Sequence, residues 1–409
     1  MSHILVIDDY INFLENFSCH ISEYSSMILN DPKYQDDEYY DNNYAKEINE
    51  FYNSKIESIA NQIEIFQNRE IDNFESTGII VKKMDNNIKS KLLDLINNYA
   101  NRTEFDYHPG SGDRVRDIVH PSLYPFIFKK KQKFFKLDFW KRPYENSKYQ
   151  WLPSEFQIDE NGGCKIVSYI NNLPLYEVEL YSAIEKLFEI LLPDFEKSVS
   201  YANSIKIFEN EEDLRENPKR IIDEISLKNR TLQVITKIVQ VSLNPNDKLP
   251  GSWHVEGMSH ENIISTASCT IDKPKDFEAN LYFKRTYYEE EAGKLVMVTQ
   301  QYPPEEIENL YHNNLVPIGK TSIKDGSVVV FPNNMVHKID MENNSSEKQT
   351  RTILVFWLIN PDIKIKSTKD IPQQNYDVEL AKKNRLELMK ERTYYKQNFN
   401  QRKINLCEH

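Results

Sequence analysis

Apolar residues follow two rhythms along this chain, and the change from one to the other organises it. Upstream the rhythm is helical. Ile48, Phe51, Tyr52, Ile56, Ile59, Ile63 and Ile65 recur at three- and four-residue intervals, which predicts an amphipathic helix over 45–70. Further helices are expected from Asn87 to Tyr99 and from Tyr176 to Leu191, the latter stopped by Leu192-Pro193. Between these two, 101–150 reads as irregular chain rich in aromatics, with a turn at Pro109-Gly110-Ser111-Gly112. That glycine pair has no following lysine and no flanking strand and helix, so it is no phosphate loop. Trp151–Asp159 and Cys164–Tyr169 read as strands around Asn161-Gly162-Gly163. Near Thr231 the rhythm becomes that of strands. A long strand is expected at Leu232–Leu243, followed by Ile263–Ile271, Asn280–Tyr288, Leu295–Gln300, Ser327–Phe331, Val336–Ile339 and Thr350–Asn360. A helix over Val378–Tyr395 closes the pattern. Short strands separated by turn residues predict a sandwich or jelly roll. The expected division is a helical and mixed region over 1–230 that buttresses a jelly-roll core over 231–365, and a helical extension over 366–409.

Composition narrows the partners. The chain has 409 residues and a net charge of −12, which disfavours nucleic acid and acidic membrane surfaces. The cluster Lys129-Lys130-Lys131, Lys133 and Lys136 reads as a solvated face. Cys19, Cys164, Cys269 and Cys407 show no C-x-x-C spacing and read as free thiols in a reducing compartment. The amino terminus has no basic region followed by an apolar core, and no apolar run reaches membrane-spanning length. An intracellular, cytoplasmic protein is expected. Ile4-Leu5-Val6-Ile7-Asp8-Asp9 looks like the first strand of a phospho-receiver, but the alternating strand–helix pattern does not follow it.

The chemistry concentrates in Trp253-His254-Val255-Glu256-Gly257, answered later by Pro332-Asn333-Asn334-Met335-Val336-His337 and then Arg351. On a strand, residues i and i+2 face the same side, so His254 and Glu256 can grip one ion. A distal strand would bring His337 alongside. Two imidazoles and one carboxylate leave positions open, the ligand set of non-haem Fe(II) oxygenases. Arg351 opens the apolar run Arg351–Ile359. A cation at the mouth of a buried strand needs a partner, and a bidentate carboxylate ligand supplies one. The bland readings are a chance His-x-Glu, a loop histidine and an arginine paired to a surface Glu. His260, beyond Gly257, and His312 are not expected to be ligands.

At these residues the chain resembles a known family. Pro250–Met258, Glu261, Ile263 and Thr266-Ala267 look like the core motif of the family catalogued as domain of unknown function, number 4246. That family is part of the 2-oxoglutarate/Fe(II) dioxygenase superfamily. Leu281–Arg285, Phe331-Pro332-Asn333 with His337, Leu354–Pro361, Trp151-Leu152-Pro153 and Ser168–Leu173 fit it too, so the resemblance covers about 80–375. It implies an α+β fold with a double-stranded β-helix (jelly-roll, cupin-like) core, beside which a large mostly helical N-terminal region and a C-terminal helix are expected. It implies His254, Glu256 and His337 as iron ligands and Arg351 as the 2-oxoglutarate anchor. One departure stands out: the strand after the motif is aromatic-rich in the family but reads Ser268-Cys269-Thr270-Ile271 here. Thr266 and Thr270, which share a strand face, are candidate hydroxyl partners for the co-substrate, and Lys237 is an alternative cation.

The expected function is hydroxylation or demethylation of a substrate, a protein or peptide side chain or a small molecule, with Fe(II), 2-oxoglutarate and dioxygen. Because the carboxylate ligand is present, halogenation is disfavoured. The competing class is a non-catalytic jelly-roll module with a zinc-filled or vestigial site, since His and carboxylate suit both metals. A third is a metal-assisted hydrolase with Glu261 or His260 as base, against which both read more simply as surface groups.

Overall fold

The computed structural model describes residues 60–71, 74–134, 145–203, 205–207, 219–285, 315–373 and 377–397, with Glu50, Ser54 and Glu57. Two antiparallel sheets carry the architecture. The larger has eight strands. Its path runs β1 (Ile80–Lys83), β14 (Ser327–Pro332), β11 (Ile263–Asp272), β16 (Gln349–Ile359), β9 (Thr231–Leu243), β5 (Ser154–Ile158) and β6 (Cys164–Ile166), with β2 (Val115–Val119) also paired to β9. The smaller runs β10 (Lys248–Leu249), β15 (Val336–Asn343), β12 (Phe277–Arg285) and β13 (Val316–Ser322). Two hairpins stand apart, β3 (Phe126–Phe134) with β4 (Glu145–Gln150), and β7 (Ile205–Ile207) with β8 (Lys219–Ile221).

Strand alternation sorts side chains into two cores. On β14, Val328 and Val330 face the helices α1 (Asn86–Arg102) and α2 (Val178–Ala202), while Val329 and Phe331 face the smaller sheet. The helix-side core adds Ala267, Cys269, Leu354, Phe356 and the α2 residues Phe188 and Phe195. The core between the sheets adds Phe277, Phe283, Val239, Val241 and Met341. Asp85 caps α1 by accepting from the backbone N–H groups of Asn87 and Ile88. The last helix, α3 (Val378–Gln397), is bolted on by Arg385, which donates to Asp106 at 2.6 and 2.8 Å.

Several expectations change. α2 does not stop at Leu192 but runs through Pro193 to Ala202. Proline forfeits one helix hydrogen bond, but the turns beyond it bury Phe195 and Val199 completely, and that burial holds the helix together. The stretch 101–150 is not irregular: it holds β2, β3 and β4. The described part upstream of Thr231 therefore mixes strands with helices rather than being mostly helical. β1 and β13 were not expected, and β15 runs on to Asn343. The expected strand at Leu295–Gln300, most of the 45–59 part of the helix expected over 45–70, Lys136, His312, Cys19 and Cys407 lie outside the described residues. Cys164 and Cys269 are free and buried. Among the described residues no helix is long and apolar enough to cross a membrane.

Candidate metal centre and anion cavity

His254 does not lie on a regular strand. It forms a single antiparallel bridge with His337, through His254 N–H to the His337 carbonyl and the reverse bond, both 2.9 Å. The chain then bends at Glu256. The i, i+2 geometry expected of a strand is therefore supplied by something else. Asn333, in the turn after β14, accepts from Glu256 N–H at 2.9 Å and donates to the Glu256 carbonyl at 3.0 Å. It also donates to the Ile263 carbonyl at 3.1 Å. One amide thus clamps the Glu256 backbone to the start of β11. Sequence reasoning gave Asn333 no role, and a loop Asn has no period to reveal one. Asn333→Ala is expected to weaken divalent-metal binding about 10- to 100-fold, measured by calorimetric titration of the metal-free protein. Unchanged affinity would remove the clamp from the account.

The three side chains converge. Nε2 of His254 lies 3.7 Å and Nε2 of His337 3.4 Å from Oε1 of Glu256. Candidate ligand atoms of all three fall within 4.8 Å of one another. Bonds near 2 Å at right angles put ligand atoms about 3 Å apart, so the spacing suits one ion. The tautomers suit it too. Nδ1 of His254 lies 2.7 Å from the Ser252 carbonyl, and Nδ1 of His337 lies 3.2 Å from the Met335 carbonyl. A carbonyl only accepts, so each Nδ1 carries the proton and each Nε2 presents its lone pair to the centre. Burial raises the Glu256 pKa; where the two imidazoles carry a second proton in place of an ion, their hydrogen bonds and charge outweigh burial and hold the carboxyl well below its usual range.

A second cluster has the same residue types and not the same chemistry. His108, Asp117 and His120 also gather their polar atoms within 4.8 Å. There the backbone N–H of Ser122 points at Nδ1 of His120 from 3.1 Å. That nitrogen is the acceptor, so Nε2 holds the proton and faces Asp117, 4.0 Å away. Burial pushes the His120 pKa well down and keeps the ring neutral. Arg385 from α3 already approaches Asp117 at 3.4 Å. The cluster is a docking point for α3.

Between the sheets the burial pattern is interrupted along one row. Across the larger sheet, Ser268, Val355 and Lys237 are neighbours in register, and all three are half-buried. The rows on either side are buried: Thr266, Trp357 and Ile235 toward the triad, Thr270, Ile353 and Val239 away from it. Ile339, between His337 and Met341 on the facing strand, is half-buried as well. Solvent therefore reaches the middle of a sheet face that is otherwise sealed.

Arg351 closes the far end. It is the largest of the fully buried side chains, 1% exposed. It donates to Thr270 Oγ1 at 2.8 Å and contacts Met341 Sδ at 3.7 Å. Its Nε is without a partner, and no carboxylate pairs with it among the described residues. Burial pushes its pKa down to about 9, so the guanidinium stays charged at neutral pH. Lys237 forms no ion pair among the described residues either, and its Nζ lies 6.0 Å from the Trp357 ring. Thr266 Oγ1 and Trp357 Nε1 are buried without hydrogen-bond partners. The Lys237 charge acts on Asp117 and helps lower that carboxyl's pKa, so Arg351 is the buried cation left without a counter-ion among the described residues, and with the unfilled polar atoms on the same sheet face it fits an anionic ligand. The structure thus brings His254, Glu256 and His337 together and puts Arg351 against Thr270; Thr266 lies on the same strand face as Thr270, nearer the triad, and the Lys237 charge acts on Asp117.

His260 and Glu261 are not surface groups, as the sequence suggested. Both are buried, His260 Nε2 lying 3.0 Å from the Tyr149 carbonyl and Glu261 showing no exposure. Glu261 therefore cannot act as a base in water-borne hydrolysis.

The family described as protein of unknown function, DUF4246, matches residues 45–227 and 204–382. The chain belongs to this family. No curated protein matches it. Among solved structures, an IDO from Bacillus thuringiensis is 10% identical, over 70% of this chain and 91% of that one, with a TM-score of 0.34. A prolyl hydroxylase from Trichoplax adhaerens, solved with a hypoxia inducible factor peptide fragment, is 9% identical over 74% and 90%, with a TM-score of 0.32. A Pseudomonas putida prolyl-4-hydroxylase is 7% identical over 70% and 95%, with a TM-score of 0.30. These likenesses are too slight to argue from.

Proposed function

We propose that this protein is an Fe(II)- and 2-oxoglutarate-dependent dioxygenase that hydroxylates or demethylates a substrate, with His254, Glu256 and His337 as metal ligands. The observation that carries the reading is the pairing of two features along one strand, β15, which carries His337 and, four residues on, the Met341 that touches Arg351. One is a triad with both Nε2 lone pairs turned inward. The other is a buried arginine with no counter-ion among the described residues. A structural zinc site needs the first and has no use for the second. The strand order supports the same reading: β14-β11-β16-β9 set against β10-β15-β12-β13 is the pattern of a double-stranded β-helix.

In this reading Arg351 and Thr270 bind the distal carboxylate of 2-oxoglutarate, and Lys237 adds positive charge along the half-buried row. Thr266 offers a hydroxyl nearer the triad. Bound iron with 2-oxoglutarate supplies oxidation of a substrate C–H coupled to decarboxylation to succinate. The protein's own part is to orient the co-substrate and exclude water, which strengthens each charged contact. The stacked pair Trp151 and Trp357, with ring centroids 5.1 Å apart, packs in the apolar cluster beside Thr266.

The test is anaerobic loading with Fe(II) and 2-oxoglutarate. A visible metal-to-ligand charge-transfer band is expected, then succinate once air is admitted. Without the band the oxygenase reading falls; it is the stricter criterion, because turnover without substrate is slow.

A further inference from the structure

Glu261 lies in the turn that joins the His-x-Glu segment to β11, and its carboxylate is wholly committed. Oε2 accepts the backbone N–H of Met258 at 2.8 Å. Oε1 accepts the backbone N–H of Trp151 at 2.6 Å and a hydrogen bond from Arg392 of α3. The Arg392 guanidinium also lies over the Trp151 ring, 3.8 Å from its centroid. Between Glu256 and Met258 sits Gly257, at φ +66°, where a Cβ would come within 2.9 Å of Glu261 Oε2 and 2.6 Å of Ile263 Cδ1. The carboxylate is packed directly against the bend that follows Glu256.

We infer that Glu261 and Arg392 are positioning residues for the metal centre, tying the turn behind Glu256 to the C-terminal helix. This rests on the metal reading above. Asn333 holds the Glu256 backbone from one side, and Glu261 holds the following turn from the other. A buried ion pair is weak evidence for stability, because apolar residues of similar size often replace one at no cost. What apolar residues cannot supply is a two-oxygen acceptor that fixes the Met258 and Trp151 N–H groups together. Through Trp151 the same pair also sets the ring stack with Trp357.

The test uses the full-length, metal-free protein and Co(II) as probe, read by calorimetry and by visible absorption. Glu261→Gln offers one acceptor oxygen, so its NH2 must face one of the two backbone N–H groups. It is expected to bind Co(II) about 10- to 100-fold more weakly with an altered spectrum. Arg392→Lys keeps the charge and is expected to stay within a few-fold of wild type. The double variant Glu261→Met/Arg392→Met leaves no orphaned charge but orphans the Met258 and Trp151 N–H groups, so it should still fold with a Tm lowered by several degrees while Co(II) affinity remains at least ten-fold down. A folded double variant with wild-type affinity and spectrum overturns the inference. So does loss of folding in the double variant, which would make the pair purely structural. His254→Ala is the control: if wild type binds Co(II) no better than this variant, the metal centre itself fails rather than its positioning.

Discussion

Arg351→Met is expected to abolish 2-oxoglutarate binding and, in the same protein, to raise the stability of the ligand-free fold. Both follow from one observation: a charged guanidinium, 1% exposed, with Thr270 and a methionine sulfur as its hydrogen-bond partners. Truncating one side of a buried charge-assisted contact costs about 2–5 kcal/mol, roughly 30-fold in Kd or more. Without ligand, the same cation is buried with no counter-charge among the described residues, and replacing buried ions with apolar residues often stabilises by about 1–4 kcal/mol. The freed Thr270 hydroxyl takes back part of that, about 1 kcal/mol, so a Tm rise of a few degrees is expected. The pH dependence has a definite sign. Burial lowers the folded-state pKa of Arg351 from 12.5 to about 9, so the unfolded chain binds the proton more tightly. The penalty on folding is full below pH 9 and eases as pH rises above it. The stability gap between variant and wild type should therefore shrink in alkali. Arg351→Lys keeps a charge without the planar fork and should restore binding only in part. Calorimetry with 2-oxoglutarate and ligand-free thermal melts decide it. Wild-type affinity in the methionine variant rejects the anchor, and a lower ligand-free Tm rejects the uncompensated cation.

Sequence reading served best where a long apolar run coincides with burial. Thr231–Leu243 and Gln349–Ile359 are long, almost continuously buried runs of β-branched and apolar residues that sit centrally in the larger sheet, and their expected bounds differ from the observed ones by one residue at an end. It failed where partners are remote. β2 is short and its pairing with β9 is made far along the chain, so aromatic-rich sequence at 101–150 looked irregular. Pro193 reads as a stop only if local hydrogen bonding decides; here packing of Phe195 and Val199 decides instead. The spacing of His254 and Glu256 suggested their convergence through strand geometry. The convergence is there, but a bridge and the Asn333 amide produce it. Tautomers are invisible in sequence altogether. Only the carbonyls beside His254 and His337, and the N–H beside His120, separate a metal-ready triad from a hydrogen-bonded cluster of the same residue types.

His254→Ala separates an enzyme from a scaffold. The His254 side chain is 26% exposed, whereas that of His337 is 5% exposed and its ring packs against Phe331 at 4.8 Å. Removing His337 would confound ligation with core packing; removing His254 touches little besides the centre. The ligand-free fold should lose about 1 kcal/mol or less, because an open site of three protein ligands adds little to folding compared with a closed structural one. Metal binding should collapse, and 2-oxoglutarate turnover should become undetectable. Glu256→Ala should behave alike, since it removes the carboxylate that both imidazoles face. A zinc-stapled scaffold predicts the reverse: a large Tm loss in the metal-loaded comparison and no wild-type turnover to lose. Melts must be run both metal-free and loaded, because a bound ion stabilises by mass action alone. An enzyme shows matching metal-free melts and lost succinate formation. If instead the wild type melts far above the variant when loaded and yields no succinate, the oxygenase reading gives way to the scaffold.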